Sequence, residues 1–141
     1  MDRPIVVGTD GSESATKALL EAIRLAKALD EPLHIVSAYR KKSVRLDVPS
    51  EFVGSIHSLD HVDSVLADAG SRARSAGLAV TTHPVEGDPA DAIVDVAVQV
   101  GADILVVGNR GLNSLKRFVI GSVPSKIAHS SPCTTHIVYS A

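Results

Sequence analysis

This 141-residue sequence has few aromatic residues, a single cysteine and no large excess of either charge. Only 3% of the residues are aromatic and none is tryptophan, so few side chains could stack on unpaired bases, as single-stranded nucleic-acid binding requires. The formal net charge of −2 gives no electrostatic reason to expect a nucleic-acid or membrane partner. Because Cys133 is the only cysteine, an internal disulfide and a thiolate metal cage are excluded.

Long apolar runs are missing as well. No stretch approaches the roughly 18 apolar residues of a membrane-spanning helix, and the early apolar run Ile5–Val7 is too short for a signal peptide. We therefore expect a cytoplasmic protein without a membrane partner. The length predicts one domain over residues 1–141, with a core built from aliphatic side chains.

Strand-like and helix-like segments alternate along the chain. Apolar, often β-branched runs predict strands at Pro4–Thr9, Leu33–Tyr39, Leu78–Val85, Ile104–Val107 and Thr134–Tyr139. Helical periodicity predicts helices at Glu13–Asp30, from about Ser55 to Ala76, between Asp88 and Gly101, and at Ser122–Ser130. This order predicts an α/β fold, an open parallel sheet of five strands with helices on both faces. The third strand is the more polar one, which favours a position near an edge of the sheet.

Capping residues support several of these boundaries. Ser12 and Asp88 precede two of the predicted helices as N-caps, and Pro89 follows Asp88 at the first helical position. Gly77 and Gly101 follow two helices as stop residues.

Two predicted strands end in unusual polar turns. The first strand runs into Gly8–Ser12 and the fourth into Gly108–Gly111. Open α/β sheets bind ligands at the carboxyl ends of their strands, where the strand order reverses, so both turns would face one crevice if these strands are neighbours. There the carboxylate of Asp10 would suit a Mg²⁺ ion that bridges phosphate oxygens. The alternative is that Asp10 only forms a side-chain turn before Gly11.

The loop from Gly108 to Val123 joins a fully buried strand to a helix N-terminus. Glycines let a backbone approach a ligand closely, and a helix start offers unpaired N–H groups and the positive end of its dipole. Neither GxxxxGK[ST] nor GxGxxG occurs in the sequence, which argues against a P-loop and a dinucleotide fingerprint. The spacing present is GxxG, then nine residues, then Gly-Ser, and we interpret this loop as holding the phosphates of a nucleotide.

With these features the sequence resembles the universal stress proteins, in particular their ATP-binding subgroup. The pattern Gly108-x-x-Gly111-x9-Gly121-Ser122 fits that family's ATP-binding motif with its spacing intact, and Gly8–Ser12 is a second matching block. The resemblance extends over about residues 4–140. It implies an adenine nucleotide alpha hydrolase-like (Rossmann-like) sheet with strand order 3-2-1-4-5, in which the first and fourth strands are adjacent.

The resemblance also implies a role for residues on the nucleoside side of the site. Gly8 and Thr9 would line the adenine and ribose. Ala38, at the end of the second strand, would touch the adenine, and Val107 and Gly108 would contact the ribose.

On the phosphate side, the resemblance implies ATP together with Mg²⁺. Asp10 would lie near the metal ion and the phosphates. Gly111, Gly121, Ser122 and Val123 would wrap around the phosphates.

The same loop carries three cations and one departure from the family pattern. Arg110, Lys116 and Arg117 could form charge-assisted bonds with phosphates or could only keep the loop soluble. Pro124 stands where many nucleotide-binding members have a hydroxyl residue, so one possible hydrogen bond to a phosphate is lost.

Other polar residues have competing interpretations. The four cations within Arg40–Arg45 could form a patch for an acidic partner or a solvated loop. His57 and His61 could share a metal ion on one helix face or could be exposed helix positions. Cys133 could be a nucleophile or a small packed residue.

Three functions follow from these patterns. The first is an ATP-binding regulatory protein of the stress response with at most slow ATP hydrolysis, or a member that binds cyclic AMP instead. The second is a scaffold protein that keeps the fold without the ligand, and the third is an ATP-cleaving enzyme. No residue can be named as the base that activates water, which argues against efficient hydrolysis.

The last predicted strand, Thr134–Tyr139, would be an exposed edge in a monomer, and exposed edges invite pairing. The resemblance implies a homodimer joined through this strand. A regulatory role also implies a protein partner, whose identity the sequence leaves open.

Overall fold

The computed structural model describes residues 2–40, 58–110 and 120–140, which form one five-stranded sheet with helices on both faces. The strands are β1 Ile5–Gly8, β2 Leu33–Tyr39, β3 Val80–Glu86, β4 Ile104–Gly108 and β5 Thr134–Val138. The helices are α1 Glu13–Leu29, α2 Leu59–Ser75, α3 Pro89–Val100 and α4 Ser122–Ser130. All strand pairs are parallel and the order is β3-β2-β1-β4-β5. The predicted fold class and strand order are confirmed.

Local capping explains where most helices begin and end. The side chains of Ser12 and Asp88 accept hydrogen bonds from the backbone N–H groups of Ala15 and Asp91, so each N-cap satisfies one of the unpaired donors of the first turn. Gly101 ends α3 with a left-handed φ of 66°, a conformation that glycine adopts without steric cost.

The predicted start of α2 near Ser55 was wrong, because the helix begins at Leu59. Ser58 has an extended backbone conformation, with φ −74° and ψ 161°, and its side chain accepts a hydrogen bond from the N–H of His61. It is therefore the N-cap, and a cap residue marks the point where helical geometry starts. The residues predicted as helical before it, 55–57, lie outside the described residues.

Each face of the sheet has its own apolar core. Side chains alternate between the faces along a strand, so Val7, Ile35 and Val106 pack against α1 and α2, whereas Val6 and Val107 pack against α3 and α4. A sheet covered on both sides needs strands that are apolar at successive positions, as the sequence of β1 shows.

The order of the strands places β1 beside β4, and the two strands pair from Ile5↔Ile104 to Val7↔Val106. The helix that follows β1 lies on one face, and the helix that follows β4 lies on the other. The connections therefore diverge between these strands, and this is the switch point at which open α/β sheets bind ligands.

The edge strands are β3 and β5, so the prediction that the third strand lies near an edge is confirmed. Just past β5, Tyr139 exposes 63% of its surface. Within the described residues, no helix combines the length and the apolar character needed to cross a membrane.

Candidate functional site

The turn after β1 is held by its own side chains. The N–H of Thr9 donates to the carbonyl of Val36 at 2.9 Å, and the hydroxyl of Thr9 accepts from the N–H of Gly11 at 3.2 Å. Asp10 Oδ1 accepts from the N–H of Ser12 at 2.9 Å, so the side-chain turn considered for this aspartate is present. This bond orients the carboxylate at the carboxyl edge of the sheet without excluding a further role there.

The first residue after β4, Asn109, is the centre of a buried polar network. Its side chain is only 1% exposed. Asn109 Oδ1 lies 3.1 Å from the backbone N of Ser140 and 3.3 Å from the hydroxyl oxygens of both Ser140 and Ser14. One amide oxygen thus joins the end of β4 to the first turn of α1 and to the segment that follows β5.

Asn109 also closes the loop that leaves β4. The N–H of Gly121 donates to the carbonyl of Asn109 at 2.7 Å, and the N–H of Arg110 donates to the hydroxyl of Ser14 at 3.4 Å. Both ends of the predicted phosphate loop are therefore hydrogen-bonded to buried residues. Its middle, which includes Gly111, Lys116 and Arg117, lies outside the described residues.

Sequence reasoning singled out neither Asn109 nor Ser14. A polar residue directly after a buried strand, between two candidate site residues, was a usable signal for Asn109. Ser14 offered no such signal, because it meets Asn109 only through a contact that spans 95 residues of the chain.

The N-terminus of α4 faces the same edge of the sheet. Gly121 is its N-cap with φ −63° and ψ 169°, and it makes no side-chain capping bond. The N–H groups of Ser122 and Val123 belong to the first turn and have no partner within a helix. Pro124, the third helical residue, is buried and has no N–H to contribute.

Two of the predicted site glycines are required by packing. A β-carbon on Gly8 would collide with Ile93 of α3, lying 2.9 Å from its Cγ1. A β-carbon on Gly108 would collide with Ser14 of α1, lying 2.8 Å from its carbonyl oxygen. These glycines let the ends of β1 and β4 contact helices on opposite faces, and that role explains them without a ligand.

Gly121 differs from both. Its φ is one that every residue adopts, and an added β-carbon would lie 3.4 Å from Arg110 Cα and from the carbonyl oxygen of Asn109, an ordinary contact. Neither its conformation nor its packing against residues 2–40, 58–110 and 120–140 requires glycine at this position.

The predicted nucleoside-side residues fall on different faces. Ala38 is half-buried and packs with Val107, which is 3% exposed, against the core on the α3 and α4 side, where Val123, predicted on the phosphate side, packs as well. Thr9 instead lines a cavity of about 220 Å³ on the other face, between α1 and α2. That cavity is bordered by Gly11 as well, but not by the described start of α4.

A group of ion pairs connects α4 to the neighbouring elements. Lys126 Nζ lies 3.1 Å from Asp88 and 3.2 Å from Asp91, and Arg40 at the end of β2 lies 3.9 Å from Asp88. Burial by itself would raise the pKa of Asp88, but the N–H bond from Asp91 and the cations Lys126 and Arg40 outweigh it and lower this pKa. The carboxylate is thus held in its charged form.

Asp10 is not part of a complete protein metal site in the parts of the chain described here, since no three His, Cys, Asp or Glu side chains converge there. Mg²⁺ commonly binds one or two carboxylates and takes its other ligands from substrate phosphates and water, and the single carboxylate of Asp10 fits only that kind of site. His61 is exposed on α2, and its predicted metal partner His57 lies outside the described residues.

The sheet order and the two turns at its switch point define an open, doubly wound α/β protein, with the switch point between β1 and β4. The chain belongs to the universal stress protein family, whose sequence profile matches residues 1–139. A universal stress protein of Mycobacterium tuberculosis is 35% identical to it over 141 residues, which cover 97% of this chain and 96% of the relative.

Solved structures of universal stress proteins also match this chain along nearly its whole length. A universal stress protein in complex with cyclic AMP is 36% identical, with a TM-score of 0.76, and the match covers 99% of this chain and 98% of that one. One from Archaeoglobus fulgidus in complex with dAMP is 25% identical, with a TM-score of 0.70 and 95% of both chains covered. Both of these relatives bind adenine nucleotides.

Proposed function

We propose that this chain binds an adenine nucleotide at the switch point between β1 and β4, and that it acts as a regulatory protein of the stress response. The observation that carries the proposal is Gly121, a glycine that neither its backbone conformation nor its packing against the described residues requires. It stands directly before the exposed first residue of α4. The adenine nucleotides held by two related structures support the proposal.

The phosphates would lie at the N-terminus of α4. The N–H groups of Ser122 and Val123 and the positive end of the helix dipole favour an anion there. A glycine at the N-cap leaves the approach free of a side chain. Gly111 and the half-buried Arg110 belong to the same proposal, with Arg110 as a charge-assisted partner of the phosphates.

The adenosine would extend from this helix across the end of β1 toward β2. Ala38, Val107 and Val123 supply apolar contact from one face of the sheet. Gly8, Thr9 and Gly108 supply backbone at the strand ends. Because the side chain of Thr9 faces the α1–α2 side, its contact with the nucleoside would come from its backbone.

ATP with Mg²⁺ is the nucleotide we propose, and cyclic AMP is the alternative. ATP carries adjacent anionic phosphates that a Mg²⁺ ion on Asp10 would bridge, whereas the single phosphate of cyclic AMP needs no such ion. Binding that weakens strongly when Mg²⁺ is removed would identify ATP, and binding that is insensitive to Mg²⁺ would identify cyclic AMP. Hydrolysis of ATP would at most be slow, because we can name no general base for it among the described residues.

A scaffold function without a ligand is the second candidate, and Pro124 favours it. This buried proline removes both an N–H donor and the hydroxyl group that many family members have at this position. A protein partner, a cytoplasmic location and a homodimer joined through β5 complete the proposal for either function.

The test is the nucleotide content of the chain as purified. The protein is denatured, and the supernatant is separated by chromatography. An adenine nucleotide in near-stoichiometric amount supports nucleotide binding and identifies the bound species. An empty supernatant, followed by no binding of added ATP or cyclic AMP with Mg²⁺, leaves the scaffold function.

A further inference from the structure

Two histidines from neighbouring strands meet on the sheet, away from the switch point. His34 is the second residue of β2 and His83 lies in the middle of β3. His34 Nδ1 is 2.8 Å from His83 Nε2, and the ring centroids are 5.1 Å apart with the planes tilted by 34°. The strand register pairs His83 with Val36, so the two histidines are diagonal neighbours that share one face.

The surroundings of the pair leave it accessible from one side. Both side chains are half-buried and lie on the α3 face, but α3 packs mainly on β2, while β3 is the sheet edge. Burial lowers the pKa of both imidazoles, and the charge of His83 lowers the pKa of His34 further. At pH 7 the pair is therefore neutral, and neutral imidazole is the form that binds metal ions.

We infer that His34 and His83 form a two-histidine chelating site for a divalent transition-metal ion, Cu²⁺ or Ni²⁺. A metal–imidazole bond is about 2.0 Å long, so two nitrogens that bind one ion lie about 2.8–3.3 Å apart, and the hydrogen bond already holds these two nitrogens 2.8 Å apart. Imidazole nitrogens are suitable ligands for both ions, and Cu²⁺ has the highest affinity of the divalent first-row ions.

The ion replaces a hydrogen bond without changing the charge of the pair. In the N–H···N bond one ring carries its proton on the shared nitrogen. On metal binding that proton moves, through solvent, to the outer nitrogen of the same ring, and both rings turn until the two lone pairs converge on the ion. Both histidines stay neutral, so no net proton is released.

The site is open rather than a closed cage. No third His, Cys, Asp or Glu side chain joins the pair within residues 2–40, 58–110 and 120–140, so water or an external ligand fills the remaining positions. The ion would link the edge strand β3 to β2 between residues 49 positions apart. Since the unfolded chain has no preformed site, binding stabilises the fold.

The experiment uses untagged protein that has been stripped of metal with a chelator and returned to chelator-free buffer. Calorimetric titration with Ni²⁺ or Cu²⁺ is expected to show one ion per chain and a rise in the thermal unfolding midpoint. His34→Gln and His83→Gln keep a polar group that can hydrogen-bond but lack the imidazole. Each should weaken binding by about tenfold or more, since even the loss of a group that only orients a ligand costs that much. His129→Gln, at an exposed position of α4, is the matched control and should bind as the parent chain does.

Unchanged affinity in the His34→Gln/His83→Gln double variant would overturn the site. Should the variants fail to fold, electron paramagnetic resonance of the Cu²⁺-loaded parent chain decides. Coupling to two imidazole nitrogens supports the site, and coupling to fewer contradicts it.

Discussion

The glycines at the switch point do different things at the residue scale. Gly8 and Gly108 allow strand ends to pack against Ile93 and Ser14, so their loss would damage the fold itself. Among the described residues, none packs against Gly121 so closely that glycine is required. A substitution there therefore tests ligand binding more directly than a substitution at either of the other two positions.

Gly121→Val is therefore the first prediction. The branched side chain would occupy the approach to the first turn of α4, and nucleotide affinity should fall by about tenfold or more, or about 1.4 kcal/mol. Calorimetric titration measures this, with circular dichroism to show that the variant is folded. Ser125→Ala, an exposed position one turn further along α4, is the control. Unchanged affinity in Gly121→Val would show that the phosphates do not lie at this position.

Asn109 supports the second prediction. Asn109→Ala removes the acceptor shared by Ser14 and Ser140 and leaves buried donors without it, which costs about 1–3 kcal/mol. Urea unfolding should show this loss together with weaker nucleotide binding. Ser140→Ala removes only the hydroxyl contact and keeps the backbone N–H bond, so it should cost clearly less. Equal losses in the two variants would show that Asn109 is not the anchor.

Among individual residues, a contact could be predicted from the sequence when its two partners are close together along the chain. The turn of Asp10 onto Ser12 spans two residues and was foreseen as an alternative. The contact of Ser14 with Asn109 spans 95 residues, and the collision that requires Gly8 involves a helix far along the chain. Contacts of that kind exist only once the sheet order is formed.

At the scale of the elements, α2 shows how a cap decides a boundary. Ser58→Ala removes the acceptor of the His61 N–H and should lower the free energy of unfolding by about 1 kcal/mol. Urea unfolding measures the change. Ser71→Ala, an exposed interior position of the same helix, replaces serine by a better helix former and should cost nothing. If both variants had the same stability, Ser58 would not be the functional cap.

The β2–β3 pair supports a prediction about pH. The pKa values of His34 and His83 are lowered from 6.5 by burial, so the unfolded chain binds more protons than the folded one below that pH. These two groups should leave stability constant above about pH 6.5, lower it as the pH falls from 6.5 to the lowered pKa values, and leave it constant again once both states are protonated. Urea unfolding at a series of pH values between about 7.5 and 5 checks this.

A double variant shows how much of this pH dependence of stability comes from the two histidines. His34→Gln/His83→Gln should flatten the decline, and His129→Gln should leave it as it is. The carboxylate Asp88, whose pKa is lowered, loses its contribution only at more acidic pH. A slope that is the same in the parent chain and the double variant would assign the pH dependence to other groups.

Element types and order were predictable because they rest on local signals. The Asp88–Pro89 start and the Gly101 stop were correct, and the polar character of β3 placed it at an edge. The start of α2 was wrong because apolar periodicity gives no boundary of its own, whereas Ser58 does.

At the scale of the whole molecule, α1 and α4 diverge to opposite faces from neighbouring strands at the switch point, and β5 is an edge strand. We predict a homodimer joined through that edge. Sedimentation at micromolar concentration should show a dimer. Tyr139→Asp, at a 63% exposed position, should shift it toward monomer by placing a charge at the interface.

Val98→Lys is the matched control for the dimer. Val98 is 61% exposed but belongs to α3, which packs on the other half of the sheet, so its substitution should leave sedimentation unchanged. A monomeric parent chain would contradict the dimer. An equal effect of Tyr139→Asp and Val98→Lys would show that the interface does not lie at β5.

Nucleotide binding at the switch point can be measured by calorimetric titration of the nucleotide-free chain. ATP and cyclic AMP are each titrated with and without Mg²⁺. We expect saturable binding of about one adenine nucleotide per chain, with ATP binding dependent on Mg²⁺. A folded chain that binds neither nucleotide under any of these conditions would contradict it.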